Sequence, residues 1–316
     1  MSFDMEIEDY MEDLDLRNHK KCIVTGGAGF IGSHLVDRLI EDGHEVIVID
    51  DRSTGKLENI NEKARWCNHD VSCMTDFSMF EDVDVVFHLA ALARVQPSIE
   101  DPVKYHDVNV TGTVNMLDAC RRYGVKRFVF SSSSSVYGEA SVPTSEEHPM
   151  NPISPYALHK LIGEQYCKLF STIYTIDTVS LRYFNVYGDR MSLDGAYRLA
   201  IPIFATQIKE GKPCTINNDG EQRRDFTHID DVVSANISVA TSLDEFKGDV
   251  FNIGNGSNIT VNKLVEMMGG EKSYGNKVIE PFETLAQTLK ARKRLNWEPT
   301  GDLQKWINKY KKDLGI

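Results

Sequence analysis

Short apolar runs alternate with amphipathic stretches along the first half of the chain. Lys21–Thr25 (KCIVT) is a short run that predicts a buried strand. Helically spaced apolar residues follow over 30–42, and Gly43 stops that pattern. Further runs at 45–50, 83–89, 127–131 and 178–182 predict more strands, with helical patterns over 107–123 and 155–172 between them. Repeated strand–helix units of this length predict an α/β, Rossmann-type doubly wound parallel sheet. From about residue 185 the order loosens into loops, one helix over 200–210 and short segments. The expected organisation is an N-terminal extension at 1–20, a Rossmann domain at 21–185 and a smaller C-terminal lobe at 186–316, with some return to the sheet. Within 1–20, Phe3, Ile7, Tyr10, Met11 and Leu14 have helical spacing and predict a short amphipathic helix packed on the body.

Composition narrows the partners. With 316 residues, 41% of them hydrophobic, the chain can bury a sizeable core. The formal charge is −12, but the first 16 residues hold seven acids and no base, which leaves about −5 for the remainder. An acidic balance disfavours nucleic acid and anionic membranes, which need clustered Lys and Arg. A phosphorylated small molecule remains compatible, because helix N-termini and one or two cations can hold it. The six cysteines (Cys22, Cys67, Cys73, Cys120, Cys167, Cys214) show no CxxC spacing, so neither a disulfide frame nor a zinc site is expected. No apolar run reaches the roughly 18 residues of a membrane span, and the acidic start does not suit a signal or transit peptide. A soluble, cytoplasmic protein without a metal site is expected.

The first chemistry appears where strand meets helix. Gly26, Gly29 and Gly32 form GxxGxxG, and Gly27, Gly29 and Gly32 also satisfy GxGxxG. Glycines there permit a tight turn and close backbone approach to a pyrophosphate at the helix N-terminus. The second strand ends in Asp50, 24 residues after Gly26, placed to accept from adenosine ribose hydroxyls and to repel a 2′-phosphate. Arg52 leaves a small allowance for NADP, but Asp50 favours NAD. Farther on, Tyr156 and Lys160 stand one turn apart on a helix opened by Pro155. A tyrosine of ordinary pKa, about 10, is a poor base at neutral pH. Lys160 and a positive nicotinamide both favour phenolate, so its pKa is expected to fall.

Phe130-Ser131-Ser132-Ser133-Ser134-Ser135-Val136-Tyr137-Gly138 makes the pattern specific. Together with the glycine loop, His88-Leu89-Ala90-Ala91, Tyr156/Lys160, the stretch from Leu181 to Gly188 and that from Arg224 to Asp231, it resembles the extended short-chain dehydrogenase/reductases. The likeness spans about residues 21–300. It implies NAD as cofactor, bound by Gly26, Gly29, Phe30, Ile31, Asp50, Ser53, Thr54, Gly55, Asp70, Val71, Leu89, Ala90, Ala91, Ala93, Asn109, Tyr156, Lys160 and Tyr183. It also implies that Tyr156 takes the proton from a sugar O4, Ser133 hydrogen-bonds that oxygen, and Lys160 holds the nicotinamide ribose.

Within that family, 4,6-dehydratases carry an Asp-Glu pair where this chain has Ser134 and Ser135. UDP-glucuronate decarboxylases carry a Glu at the position of Ser135. Without those carboxylates the resemblance implies epimerisation at C4 of a UDP-sugar. The lobe resembles UDP-N-acetylglucosamine 4-epimerases. Asp194-Gly195-Ala196-Tyr197 with Ala200, Ile201 and Pro202 matches their uracil-side segment, Asn185 and Arg224 fall on diphosphate positions, and Asn217 lies near the uridine. Lys277-Val278-Ile279-Glu280 replaces the family's Arg-x-Gly-Asp/Glu, and Lys cannot make the bidentate contact of Arg. Thr284 stands where epimerases restricted to unacetylated sugars carry Tyr, so a 2-acetamido group should fit. Arg94 occupies a position that is often small; it touches substrate or pairs with an acid such as Glu100. UDP-GlcNAc/UDP-GalNAc and UDP-Glc/UDP-Gal are the expected substrate pairs. A UDP-uronate 4-epimerase, a net oxidoreductase and a dinucleotide-sensing binding protein are the alternatives. The resemblance also implies a homodimer formed by the helices over 107–123 and 155–172.

Overall fold

The structure, a computed structural model, describes residues 20–191, 199–278 and 280–316. The helix expected within 1–20, the segment from Asp194 to Tyr197 and Ile279 lie outside the described residues. Seven strands form the central sheet: β1 (Lys21–Thr25), β2 (Glu45–Ile49), β3 (Arg65–Cys67), β4 (Val85–His88), β5 (Arg127–Ser133), β6 (Asp177–Tyr183) and β7 (Asp249–Ile253). Their spatial order is β7-β6-β5-β4-β1-β2-β3, and every neighbouring pair is parallel. β1 pairs with both β2 and β4, so the strand order reverses there. A crevice opens at such a reversal, beyond the carboxyl ends of the strands.

A wholly parallel sheet must be covered on both faces. One face packs Leu35, Val36 and Leu39 of α1 (Phe30–Glu41) with Val232 and Val239 of the helix Ile229–Thr241. The other packs Met116, Leu117 and Cys120 of the helix Gly112–Tyr123 with Cys167 and Phe170 of the helix Pro155–Ile173. A third cluster, centred on Ile201, Phe204, Leu264 and Trp306, is the core of the C-terminal lobe. Arg127 is fully buried at the start of β5; it pairs with Asp177 at 2.9 Å and donates to the carbonyls of Val239, Ser242 and Asp244. It thereby satisfies carbonyls that the end of the helix Ile229–Thr241 would otherwise leave unpaired.

Several boundaries differ from the apolar pattern. The helix expected over 107–123 begins earlier: Pro102–His106 continues through a π turn, Asp107–Thr111, into Gly112–Tyr123. Asp101 caps it by accepting from the Lys104 N–H, with Pro102 in the first turn. Exposed Val103 interrupts the amphipathic pattern there. β5 and β6 run longer than 127–131 and 178–182, because the serines ending β5 still pair with Leu181, Arg182 and Tyr183. All six cysteines are unpaired; Cys22, Cys120, Cys167 and Cys214 are buried. Among the described residues no helix is long and apolar enough to cross a membrane.

Candidate active site

The glycine loop closes against two strand ends. Gly26 adopts φ +72° and donates to the Ile49 carbonyl at 2.8 Å; a Cβ on it would lie 2.7 Å from the Ala90 nitrogen. A Cβ on Gly32 would lie 2.2 Å from the Gly26 carbonyl oxygen, so only glycine lets α1 approach the loop so closely. The N-cap of α1 is Gly29, with no side-chain cap, and its first turn opens with Phe30 and Ile31. Its first N–H groups and positive dipole end are therefore offered outward. At the end of β2, the Asp50 carboxylate accepts from the Ala28 and Arg52 N–H groups at 2.9 and 2.7 Å. Burial pushes its pKa up, while those two N–H donors oppose the rise. Gly55 brings the loop holding exposed Ser53 and Thr54 against Ala28 and Asp50. An uncapped helix end, a loop no Cβ could enter and an acid at the next strand end fit a dinucleotide.

The opposite wall is held by one hydrogen-bond chain. The Thr113 hydroxyl donates to the Asn109 carbonyl at 2.7 Å, so it accepts from His88 Nε2–H at 3.0 Å. His88 Nδ1 then accepts from the Thr25 hydroxyl at 2.8 Å, and Thr25 in turn accepts from the Ala90 N–H at 3.1 Å. Burial and the nearby Lys160 push the His88 pKa down to about 3, so the ring stays neutral. Asn109 clamps Leu92 through both its amide groups. The run from Leu89 to Ala93 is thus fixed by groups behind it, and Asn109 positions this wall. Val71 is buried, Asp70 accepts from Ser72, and the Tyr183 phenol is committed to Ser131 and Asn236. The Tyr183 hydroxyl therefore makes its hydrogen bonds within the protein.

Ser133, Tyr156 and Lys160 converge beside this wall. Ser154 caps the helix Pro155–Ile173 by accepting from the Ala157 N–H, which sets the first-turn position of Tyr156. The Tyr156 N–H donates to Ser98 at 3.1 Å. Lys160 is buried and donates to the Ser131 carbonyl at 2.7 Å; burial lowers its pKa to about 8. Burial pushes the Tyr156 phenol up, while Ser133 hydrogen bonding and the Arg94 charge act downward. Lys160 Nζ is 6.0 Å from the Tyr156 ring centre, over the ring and turned to Ser131. Arg94 carries φ 135° and ψ 138°, which a bulky side chain rarely adopts. Such strain costs on the order of 1–3 kcal/mol and persists where the surroundings impose it. Glu164, one turn past Lys160, binds Ser132 and pairs with Arg182 at 2.6 Å. Ser134 and Ser135 lie in the turn Ser134–Tyr137.

On the lobe side, Arg224 pairs with Glu280 at 2.6 Å, and Asn218 and Gln222 also donate to that carboxylate. Asn185 donates to the Asp225 carbonyl and to Thr284, whose hydroxyl also accepts from the Asp225 N–H. Asn185, Arg224, Glu280 and Thr284 are therefore brought together. Asn217 is exposed and its carbonyl accepts from Gln222; Lys277 is exposed; Ala200 and buried Ile201 open the helix Ala200–Lys209. Sequence reasoning missed Ser98, Thr113, Asn218 and Gln222 as positioning groups. Each is a lone polar residue without periodicity or motif, visible only through its partner.

The fold and this arrangement define a dinucleotide-dependent enzyme of the short-chain dehydrogenase/reductase type. Residues 22–254 match the NAD dependent epimerase/dehydratase family. A UDP-glucose 4-epimerase of Mycolicibacterium smegmatis is 34% identical over 305 residues, covering 92% of this chain and 96% of that protein. The solved UDP-N-acetylglucosamine 4-epimerase of Methanobrevibacter ruminantium, in complex with UDP-N-acetylmuramic acid, superimposes with a TM-score of 0.88 at 35% identity, covering 93% of this chain and 98% of that one. The UDP-glucuronic acid 4-epimerase of Bacillus cereus, in complex with UDP-glucuronic acid and NAD, gives a TM-score of 0.86 at 34% identity, with 93% and 99% covered. The chain belongs to the NAD dependent epimerase/dehydratase family, and its cofactor is NAD.

Proposed function

We propose that this chain inverts C4 of a UDP-hexose, interconverting UDP-GlcNAc with UDP-GalNAc, UDP-Glc with UDP-Gal, or both. The observation that carries this reading is the convergence of Ser133, Tyr156 and Lys160 beside a turn whose Ser134 and Ser135 offer no carboxylate. Tyr156 takes the proton from the sugar O4 and later returns it. Ser133 hydrogen-bonds that oxygen, and Lys160, with donors beyond its bond to Ser131, holds the nicotinamide ribose. NAD, held at the glycine loop and Asp50, would supply the acceptor and donor of the C4 hydride. Without an acid at 134 or 135, elimination across C5–C6 has no general catalyst, so the 4-keto sugar is left to rotate and be reduced from its other face. Asn185 and Arg224 meet the diphosphate, and the uridine lies toward Asn217, Ala200 and Ile201. Glu280 orients Arg224. Thr284 is small and tied to Asn185 and Asp225, which leaves room beside C2 for an acetamido group.

A UDP-uronate pair is the second reading, favoured by the Arg94 charge at the catalytic end of the site. The chain is read as a homodimer, because Val103, Leu158, Leu169 and Ile173 expose apolar side chains on adjoining helices. The test is purified protein without added NAD, given UDP-GlcNAc, UDP-Glc and UDP-glucuronate separately, with C4 epimers resolved by NMR. Tyr156→Phe should lower turnover by about 10²–10⁴. No epimer from any substrate, or full activity in Tyr156→Phe, would refute the proposal.

A further inference from the structure

We propose that Glu164 is a positioning residue: a buried carboxylate that, locked to Arg182, fixes the serine run so that Ser133 meets the reacting oxygen. This rests on the reading of Ser133 as the group that hydrogen-bonds the sugar O4.

The geometry builds from one helix face. Lys160 and Glu164 stand four residues apart on the helix Pro155–Ile173, so both reach the end of β5. Lys160 donates to the Ser131 carbonyl at 2.7 Å, and Glu164 accepts from the Ser132 hydroxyl. Arg182 lies opposite Ser132 on β6. Its Nε donates to Glu164 Oε1 at 2.8 Å and its Nη2 to Oε2 at 2.6 Å, a bidentate fork. The third nitrogen, Nη1, donates to the Tyr137 hydroxyl at 2.7 Å, which in turn donates to Asn252 on β7 at 2.7 Å. One ion pair therefore ties down Ser132 before the catalytic serine and Tyr137 after it. Between them, the Ser133 hydroxyl oxygen accepts from the Ser135 N–H at 3.2 Å, which leaves its proton to donate toward the phenol or the sugar.

Stability alone does not account for this arrangement. Glu164 is 5% exposed and Arg182 3%. Two ions taken so far out of water gain little over packed apolar side chains of similar volume. What they add is direction, because a planar guanidinium and a carboxylate meet in a fixed fork that apolar side chains do not impose. Arg127 with Asp177, a second such pair, sits at the opposite end of β5 and β6 and holds helix carbonyls. Glu164 instead holds the neighbour of Ser133.

Removing one ion would strand the other, so the test uses variants that leave no lone charge. Ser132→Ala cuts only the hydroxyl tie, and Glu164→Met/Arg182→Met replaces the pair with unbranched apolar side chains. Each is also combined with Ser133→Ala. Turnover and KM are read on the UDP-sugar that the wild type epimerises, with NAD content after acid release and Tm on the same preparations. Ser132→Ala should lower kcat about tenfold and the paired Met variant about 100-fold, as small misplacements of a reacting group do. KM should stay within about twofold, with NAD content unchanged and Tm within a few degrees of wild type. On the Ser133→Ala background either change should cost no more than about twofold further, because the group it positions is gone. An equal loss with and without the Ser133 hydroxyl would make the network merely structural and overturn the inference. Wild-type kcat in either folded variant, or a loss carried by KM or by NAD content, would overturn it too. Full activity of Ser133→Ala alone would instead sink the reading of Ser133 itself.

Discussion

Removing the charge of Lys160 should abolish activity while leaving the fold as stable as before or more so. Its pKa falls from an ordinary 10.5 to about 8, which corresponds to about 3 kcal/mol against the charged native state at neutral pH. Lys160→Met removes that penalty, but it strands the Ser131 carbonyl to which the ammonium donates. A stranded buried acceptor costs about 1–3 kcal/mol. The variant should therefore lie between neutral and about 2 kcal/mol more stable, a rise in Tm of no more than about 8 °C. The sign of its pH dependence is fixed. Below about pH 8 native and unfolded wild type both carry the proton, and the penalty is whole. Between about 8 and 10.5 the native state gives the proton up first, so wild type gains stability and the gap narrows. Thermal melts of cofactor-stripped protein at pH 7, 8.5 and 10 measure this. A variant that melts several degrees lower at pH 7, or a gap that widens with pH, would show that Lys160 is not held against burial.

Other outcomes follow from particular contacts. Gly32→Ala sets a Cβ 2.2 Å from the Gly26 carbonyl oxygen; NAD co-purifying with the protein, quantified after acid release, should fall at least about tenfold. Arg127→Met leaves buried carbonyls at the end of the helix Ile229–Thr241 and the Asp177 carboxylate without their cation. The expected loss is about 3–5 kcal/mol, read from the denaturant midpoint. Leu158→Asp on the exposed apolar face should shift the assembly toward monomer in sedimentation without changing the far-ultraviolet spectrum.

Much of this was legible in the chain because the local signals agree. Gly26 and Gly32 announce the strand–helix junction, and the structure shows a backbone contact at each that excludes a side chain. Pro155 and the turn spacing of Tyr156 and Lys160 mark the catalytic helix, and Ser154 caps it. What stayed hidden depends on contacts between distant residues. β3 has only three residues, and β7 is recognisable only beside β6. Spacing places Lys160 on the face of Tyr156 without showing that its ammonium turns to Ser131 or that the phenol is buried. Arg94 could be flagged as unusual from the sequence; its backbone conformation could not.

The path of the chain between body and lobe limits how the two can move. Residues up to Tyr183 build the sheet, Tyr187, Met191, Ile201, Phe204 and Ile216 belong to the lobe core, and Ile229 to Ile253 return to the sheet. Leu264 to Met268 enter the lobe again, Ala291 to Trp297 return, and Trp306 and Ile307 end in the lobe. A clam-shell motion needs a few linkers that turn together about one axis. Here many separate crossings would have to twist in concert, and one of them leads back into β7, locked to β6 from Asp249 to Ile253. Entry and exit of a ligand therefore fall to the loops at the rim, and mutations that stiffen those loops should slow release without altering the angle between body and lobe.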